Sequence, residues 1–340
     1  MDKRRIMAVF YAVLAAVLYA INMPASKILL KRINPTMMAA LLYLGAGIGI
    51  GMLYILSKGE GEKRRLSKED LPYTVGMIVL DIAAPVFLMY GLTSTTSANA
   101  SLLNNFEIVA TSIIALVVFK EVITKRLWAG ITLITLSSMI LSFEDLSSLH
   151  FSWGSVFVLL AALCWGFENN CTRKLSSKNT YEIVMLKGIF SGIGSFIISR
   201  IVREGIPAPG YIIVAMVLGF VAYGLSIFFY IKAQDELGAA KTSAYYAAAP
   251  FVGAFLSFVF LRESLTLGYG VALIIMIAGS TMVVVDTMII NHVHVHTHTY
   301  VHTHDGSTHS HTVEHSHQHS HFGGDRVHDH SHGSEIILHK

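Results

Sequence analysis

Ten stretches of predominantly apolar residues, each about as long as a bilayer core requires of a helix, recur along this 340-residue chain. They lie at residues 6–26, 36–56, 71–92, 97–118, 127–143, 154–171, 182–201, 210–231, 243–261 and 266–290. No water reaches the bilayer interior to satisfy backbone N–H and C=O groups, so such stretches span as helices. Composition agrees. Hydrophobic residues make up 53% of the chain, charged residues 14%, and mean hydropathy is +0.57. A soluble domain usually carries about 25% charged residues. The first stretch is longer than a signal-peptide core and nine similar ones follow, so it reads as a retained span. Cys164 and Cys171 both fall in the sixth stretch, form no CxxC pair, and read as small packing residues.

Charge sets the expected orientation. With the N-terminus in the cytoplasm, the inside segments hold sixteen Lys and Arg residues and the outside loops six. The loop KGEGEKRRLSKED, residues 58–70, contributes most to that bias. The expectation is a multi-pass protein of the plasma (inner) membrane with both termini cytoplasmic. Trp128 and Trp153 stand at span starts, where interfacial aromatics are enriched.

The halves of the chain resemble each other. AAVLYAINMPASKIL from Ala15 is matched by AALCWGFENNCTRKL from Ala161. Both pass from an apolar run through an aromatic residue (Tyr19, Trp165) and a polar patch (Asn22, Glu168) to a base (Lys27, Arg173). Small residues four apart recur in the second and seventh spans: Gly45 and Gly49, Gly47 and Gly51, Gly188 and Gly192. That spacing lets helix backbones approach closely. The fourth span ends ALVVFKE at Glu121 and the ninth SFVFLRE at Glu263, with Thr three residues later in each. An ordered repeat with an odd number of helices per half implies a second half inserted upside down. That architecture is common among secondary transporters, whose solute site lies near the midplane between repeats.

On these residues the chain resembles the EamA family of the drug/metabolite transporter superfamily. The segments that carry the resemblance are AxxLYAxN and AxLCWGxxN with the ends FKExxT and LRESLT, and it extends from residue 6 to about 288. It implies ten helices, cytoplasmic termini, and movement of amino acids or related metabolites without ATP. Many members carry proline near the middle of the fourth span, matching Pro250 in the ninth; here Glu107 stands in that region.

Ionisable groups within spans are costly, and they usually face a cavity or a partner. Glu107 follows Asn104 and Asn105 in the fourth span, and Asn104 shares its helix face. Lys187 lies early in the seventh span and Asp81 in the third. On a functional reading Glu107 binds an amine or a proton, and Lys187 is its counter-charge or a carboxylate binder. The alternative is a buried ion pair that only supports the fold. Glu168, with Asn169 and Asn170, sits at the expected membrane edge and reads as structural. Tyr90, Tyr245 and Tyr246 could line a cavity or pack. Pro24, Pro85 and Pro250 would kink their helices. No phosphate loop, nucleotide fingerprint or nucleophile–base arrangement is present, and no enzyme is expected.

After Ile290 the composition changes. Residues 291–340 hold sixteen of the seventeen histidines, alternating with Thr, Ser and Val. Lacking apolar residues for a core, this tail is expected to be disordered. Neutral imidazole ligates Zn, Ni, Cu and Co ions. The expected metal ligands are His292, His294, His296, His298, His302, His304, His309, His311, His315, His317, His319, His321, His328, His330 and His332.

The sequence therefore predicts an all-α membrane protein of ten transmembrane helices in two inverted five-helix repeats, with a disordered His-rich tail. The expected domains are residues 1–145, 146–290 and 291–340. The expected function is secondary transport of a small metabolite. The rivals are a divalent-metal exporter and a non-transporting, membrane-anchored metal sensor. No cofactor is required, though the tail could hold Zn or Ni. The expected partners are a small solute, the lipid bilayer and transition-metal ions, with no nucleic acid; homodimerisation stays open.

Overall fold

The computed structural model describes residues 3–56, 65–120, 123–145, 150–175, 178–237, 242, 245–263, 266–304 and 307–322. In chain order the helices are α1 (Lys3–Ala20), α2 (Asn22–Leu29), α3 (Pro35–Leu56), α4 (Leu71–Ser94), α5 (Ser97–Leu103), α6 (Phe106–Phe119) and α7 (Lys125–Ser142). There follow α8 (Trp153–Leu175), α9 (Thr180–Ile201), α10 (Pro209–Gly219), α11 (Ser226–Leu237), α12 (Ala249–Leu261) and α13 (Leu267–Met288). A helix lies at each of the ten expected spans. Among the described residues, seven helical segments are long and apolar enough to cross a membrane. The helices at the fifth, sixth and ninth expected spans, α7, α8 and α12, are not among those seven. α8 carries Glu168 and two bases in its last turns, and α12 has only 13 residues. Large apolar side chains face outward on many helices, including Leu267 at 87% exposure and Ile55 at 77%. Such a surface suits a hydrocarbon environment.

Residues Met1–Asp286 form one compact unit. A closely packed seam joins α3 to α9, where glycine lets backbone lie on backbone. A Cβ at Gly188 would stand 2.5 Å from the Gly47 Cα, and one at Gly47 would stand 2.6 Å from the Ile189 nitrogen. α10 closes on the same helix, since a Cβ at Gly219 would reach within 2.0 Å of the Leu42 carbonyl oxygen. The small-residue spacing read from the sequence is thus a packing device.

Three spans are interrupted. α1 gives way to α2 at Ile21, α5 to α6 at Asn104–Asn105, and the ninth span breaks at Ala247–Ala248 just before α12. Pro250 opens α12, where its missing N–H costs nothing. The eighth span holds a six-residue π-helical stretch, Phe220–Leu225, between α10 and α11. The repeated span ends also share a backbone shape. Lys120 after α6 and Arg262 after α12 are both left-handed (φ 55° and 52°), and each closes its helix through its own N–H. Few non-glycine residues adopt that conformation. Glu121 itself lies outside the described residues.

Two carboxylates tie down helix starts. Glu263 accepts hydrogen bonds from the Ser97 N–H (2.8 Å) and the Ala98 N–H (2.9 Å) at the start of α5. Glu204 accepts from the N–H groups of Thr36 (3.1 Å) and Met37 (2.7 Å) at the start of α3. Each satisfies orphan donors and complements the positive helix end. Lys27 donates to the carbonyl oxygens of Leu92 and Thr95 where α4 ends.

Residues Thr287–Lys340 form a second unit. Over its described residues, 291–304 and 307–322, the tail is paired strand where disorder was expected. β3 (Ile289–His304) and β4 (Ser307–Phe322) pair antiparallel, with His292 opposite His319, His294 opposite His317, His296 opposite His315 and His302 opposite His309. The physical reason is the period of the sequence. Histidine alternating with Val and Thr suits a pleated strand, and composition alone ignores that period. His328, His330 and His332 lie outside the described residues. A short pairing of β1 (Phe143–Asp145) with β2 (His150–Phe151) joins the halves of the membrane unit, so neither unit is purely helical.

Candidate functional site

The interruptions in the three spans meet around a water-sized cavity of about 10 Å³. It is lined by Tyr19, Ala20 and Met23 from the first span, Ser101 and Asn104 from the fourth, and Ala249, Pro250 and Gly253 from the ninth. Discontinuous helices meeting inside a bundle free backbone and side-chain polar groups for a ligand. Two such groups are present. Ser101 is 1% exposed and Asn104 5%, yet the Ser101 Oγ and Asn104 Oδ1 have no hydrogen-bond partner among the described residues. A buried polar atom left unpaired costs roughly 1–3 kcal/mol, and at a cavity it is available to bond a water or a ligand. The other end of the Asn104 amide is anchored, its Nδ2 donating to the Tyr19 hydroxyl at 3.2 Å.

Tyrosines form the wall. The Tyr19 ring lies 5.8 Å from those of both Tyr223 and Tyr246, and Tyr43 lies 5.4 Å from Tyr223. The π-helical stretch turns Tyr223 inward, where its hydroxyl accepts from Asn22 Nδ2 at 2.9 Å; Asn22 Oδ1 in turn accepts from Ser26. A local π-helix is a frequent mark of a functional position.

Beside this aromatic group runs a buried ionic network. Lys187 Nζ lies 3.1 Å from Asp81 Oδ2 and 2.9 Å from Glu168 Oε1. Asp81 also accepts from the Tyr43 hydroxyl at 3.0 Å, and Glu168 accepts from the Thr172 hydroxyl. Glu107, on α6, accepts from Asn169 Nδ2 at 2.6 Å. Asn169 also donates to Thr111 Oγ1, and Asn170 bonds the carbonyls of Gly166 and Thr111, which fixes α8 against α6. Glu107 stands within electrostatic range of Tyr19, Tyr223 and Tyr246. Two carboxylates, Asp81 and Glu168, thus share one ammonium, with Glu107 nearby but not in contact with it. Among the described residues no cation pairs directly with Glu107.

The structure draws Glu107, Asn104, Asp81, Lys187 and Tyr246 into or beside this cluster. Asn105 is buried next to it, its Nδ2 donating to the Leu102 carbonyl. Lys187 is not the counter-charge of Glu107, because Asp81 and Glu168 hold it. Tyr245 is 40% exposed, unlike the buried residues of the cluster. Tyr90 belongs to the other end of its helix, with its hydroxyl 3.5 Å from Glu204 and its ring against Phe157. Glu168 is 2% exposed and central to the network, not an edge residue. Sequence reasoning gave Tyr19, Asn22, Tyr43 and Tyr223 no role at the site and read Asn169 as structural. A helical-face reading would have helped with Glu168, since Ala161, Trp165, Glu168 and Thr172 share one side of α8. The histidine side chains of the tail lie outside what the structure describes. No cluster of metal-ligating side chains occurs among the described residues.

Known proteins show the same pattern. A model described as the EamA-like transporter family matches residues 6–143 and again 152–285. An uncharacterized transporter of Methanothermobacter thermautotrophicus is 25% identical over 296 residues, covering 81% of this chain and 85% of the relative. The uncharacterized transporter YyaM of Bacillus subtilis is 25% identical over 221 residues, 61% of this chain and 71% of its own. A solved structure titled only as a crystal structure of protein superposes with a TM-score of 0.61 at 16% identity, over 82% of this chain and 96% of that one, which speaks to fold alone. With two copies of the family pattern covering most of its length, this multi-pass membrane chain belongs to the EamA-like transporter family.

Proposed function

We propose that the protein is a secondary transporter of a small organic metabolite, built as ten spans in two inverted halves with both termini cytoplasmic. One observation supports this most. The interrupted first, fourth and ninth spans meet at a cavity carrying unpaired buried acceptors, beside an ionic network of three carboxylates and one lysine. A static anchor has no use for such an arrangement, because unpaired buried polar groups only reduce stability. Interrupted helices at the centre are also where alternating access relocates solute contacts. The α3–α9 seam would then serve as the rigid axis, since helices packed backbone to backbone slide little.

The test is an unbiased metabolite screen with full-length protein reconstituted into vesicles. Saturable, protein-dependent flux of at least one small solute is expected. Vesicles that move no solute under any gradient, with folded protein present, would favour the anchored-sensor reading.

For the tail we propose transition-metal binding as an accessory property. Its support is the alternation of histidine and the register that sets histidines opposite one another across two strands. Full-length protein should bind Zn or Ni by calorimetry at neutral pH, and a chain truncated at Asn291 should not. Truncation should leave flux of the organic solute nearly unchanged in metal-free buffer. Metal flux that replaced organic-solute flux would instead point to the exporter reading.

A further inference from the structure

Resting on the transport reading above, we infer that the cavity between the interrupted spans receives the ammonium group of an organic amine, with Glu107 as its counter-charge. The solute class is then a cationic amine, not an anion or an α-amino acid held by its carboxylate.

Chemistry at three levels leads there. The groups left unpaired at the cavity can accept: Asn104 offers a carbonyl oxygen while its amide nitrogen is already used, and Ser101 offers a hydroxyl. An ammonium supplies three donors and no acceptor, which matches such a lining. Its head group is also close to water in size, as is the cavity. The charge agrees. Glu107 does not itself line the cavity, but it stands just beyond the break that carries Asn104 and within electrostatic range of Tyr19, which does; Asn169 is its sole hydrogen-bond partner among the described residues. Lys187 acts on Glu107 only at a distance, being ion-paired to Asp81 and Glu168, and a carboxylate inside a membrane without a direct ion pair is costly, a cost that a solute cation would reduce. The wall agrees too, since Tyr19 lines the cavity with Tyr223 and Tyr246 behind it, and phenol faces attract ammonium.

A free cation to pair with a carboxylate is what the site lacks among the described residues. Lys187, the only cation in the network, is held by Asp81 and Glu168 at 3.1 and 2.9 Å. A zwitterionic amino acid would have to displace one of those carboxylates to be bound at both ends. An amine without a carboxylate needs no such exchange.

A matched set of probes tests this on purified full-length protein: butylammonium, butyrate and norvaline, with sodium chloride at equal ionic strength. Thermal-shift titration and calorimetry read binding. Butylammonium should raise the melting temperature and compete with any transported solute, with norvaline at least about tenfold weaker and butyrate and sodium without effect. Glu107→Gln should weaken butylammonium binding by about tenfold or more, and Ser101→Ala should weaken it less. Binding of butyrate or norvaline as tight as that of butylammonium overturns the inference. So does stabilisation by sodium alone, or no butylammonium binding by wild-type protein. If Glu107→Gln does not fold, the wild-type comparison of probes still decides. Flux of an anion or zwitterion in the vesicle screen would overturn the amine assignment and leave the transport reading standing.

Discussion

The α3–α9 seam and the meeting point of the interrupted spans lie in one compact unit and follow opposite rules. At the seam, Gly47 and Gly188 bring two unbroken helices into backbone contact, with no room for a methyl group. At the cavity, helices break, tyrosines gather, and the buried Ser101 and Asn104 oxygens have no partner among the described residues. The seam uses small residues to gain packing. The cavity gives up hydrogen bonds and continuous helix, which costs stability and leaves groups free to bind. This division of labour is expected of a protein that moves about a rigid axis while a central site exchanges partners.

Substitutions that exchange these rules should sharpen the contrast. The largest loss should come from Gly47→Leu. Its Cβ alone would collide with the Ile189 nitrogen and the Gly188 carbonyl carbon, neither of which can rotate away. We expect more than about 4 kcal/mol of destabilisation and little folded protein by size-exclusion chromatography. Normal yield of monodisperse Gly47→Leu would break the rigid-axis reading.

Next in size is Lys187→Met. It strands Asp81 and Glu168 as buried carboxylates without their shared cation, at a cost of roughly 3–5 kcal/mol. Combining it with Asp81→Asn and Glu168→Gln should recover much of the melting temperature, because all three charges leave together. A triple variant less stable than the single one would show that the network acts as more than a balanced set of charges.

Glu263→Gln should cost about 1 kcal/mol, since the amide keeps one acceptor oxygen for the Ser97 and Ala98 N–H groups at the start of α5 and turns an NH2, which cannot accept, toward the other. Thermal melting in detergent reads it. The smallest effect should be that of Ser101→Ala, which removes a buried hydroxyl with no partner among the described residues. Its melting temperature should be unchanged or slightly raised, in contrast to the seam. A loss of several degrees would mean that this hydroxyl already bonds something in the resting protein.

Much of this contrast was legible in the sequence, though unevenly. The positions of the spans followed from runs of apolar residues, and the seam from glycines four apart, because both signals are local. Glu107, Asp81 and Lys187 stood out as charges in apolar surroundings. Their partners did not, because the contacts are long-range. Lys187 was open to pairing with any carboxylate until α4 and α8 were placed on either side of it. Asn22 and Tyr223 are 201 residues apart, and no periodicity joins them. The break at Asn104–Asn105 contains neither Gly nor Pro, so breaker residues gave no warning, whereas Pro250 marked the ninth-span break only approximately. In the tail, low-complexity composition outweighed a plain alternating pattern, and the strands were missed.

The most direct test of the central claim is solute flux by vesicles carrying wild-type or Glu107→Gln protein in equal amount, with the solute found by the metabolite screen. The two proteins should have matching elution profiles, because the amide oxygen introduced in place of the carboxylate can still accept from Asn169 Nδ2. Flux should fall by about 100-fold or more, because the carboxylate proposed to offset the solute's charge is gone. Wild-type flux in Glu107→Gln vesicles would contradict the account, and would leave Glu107 as a structural group.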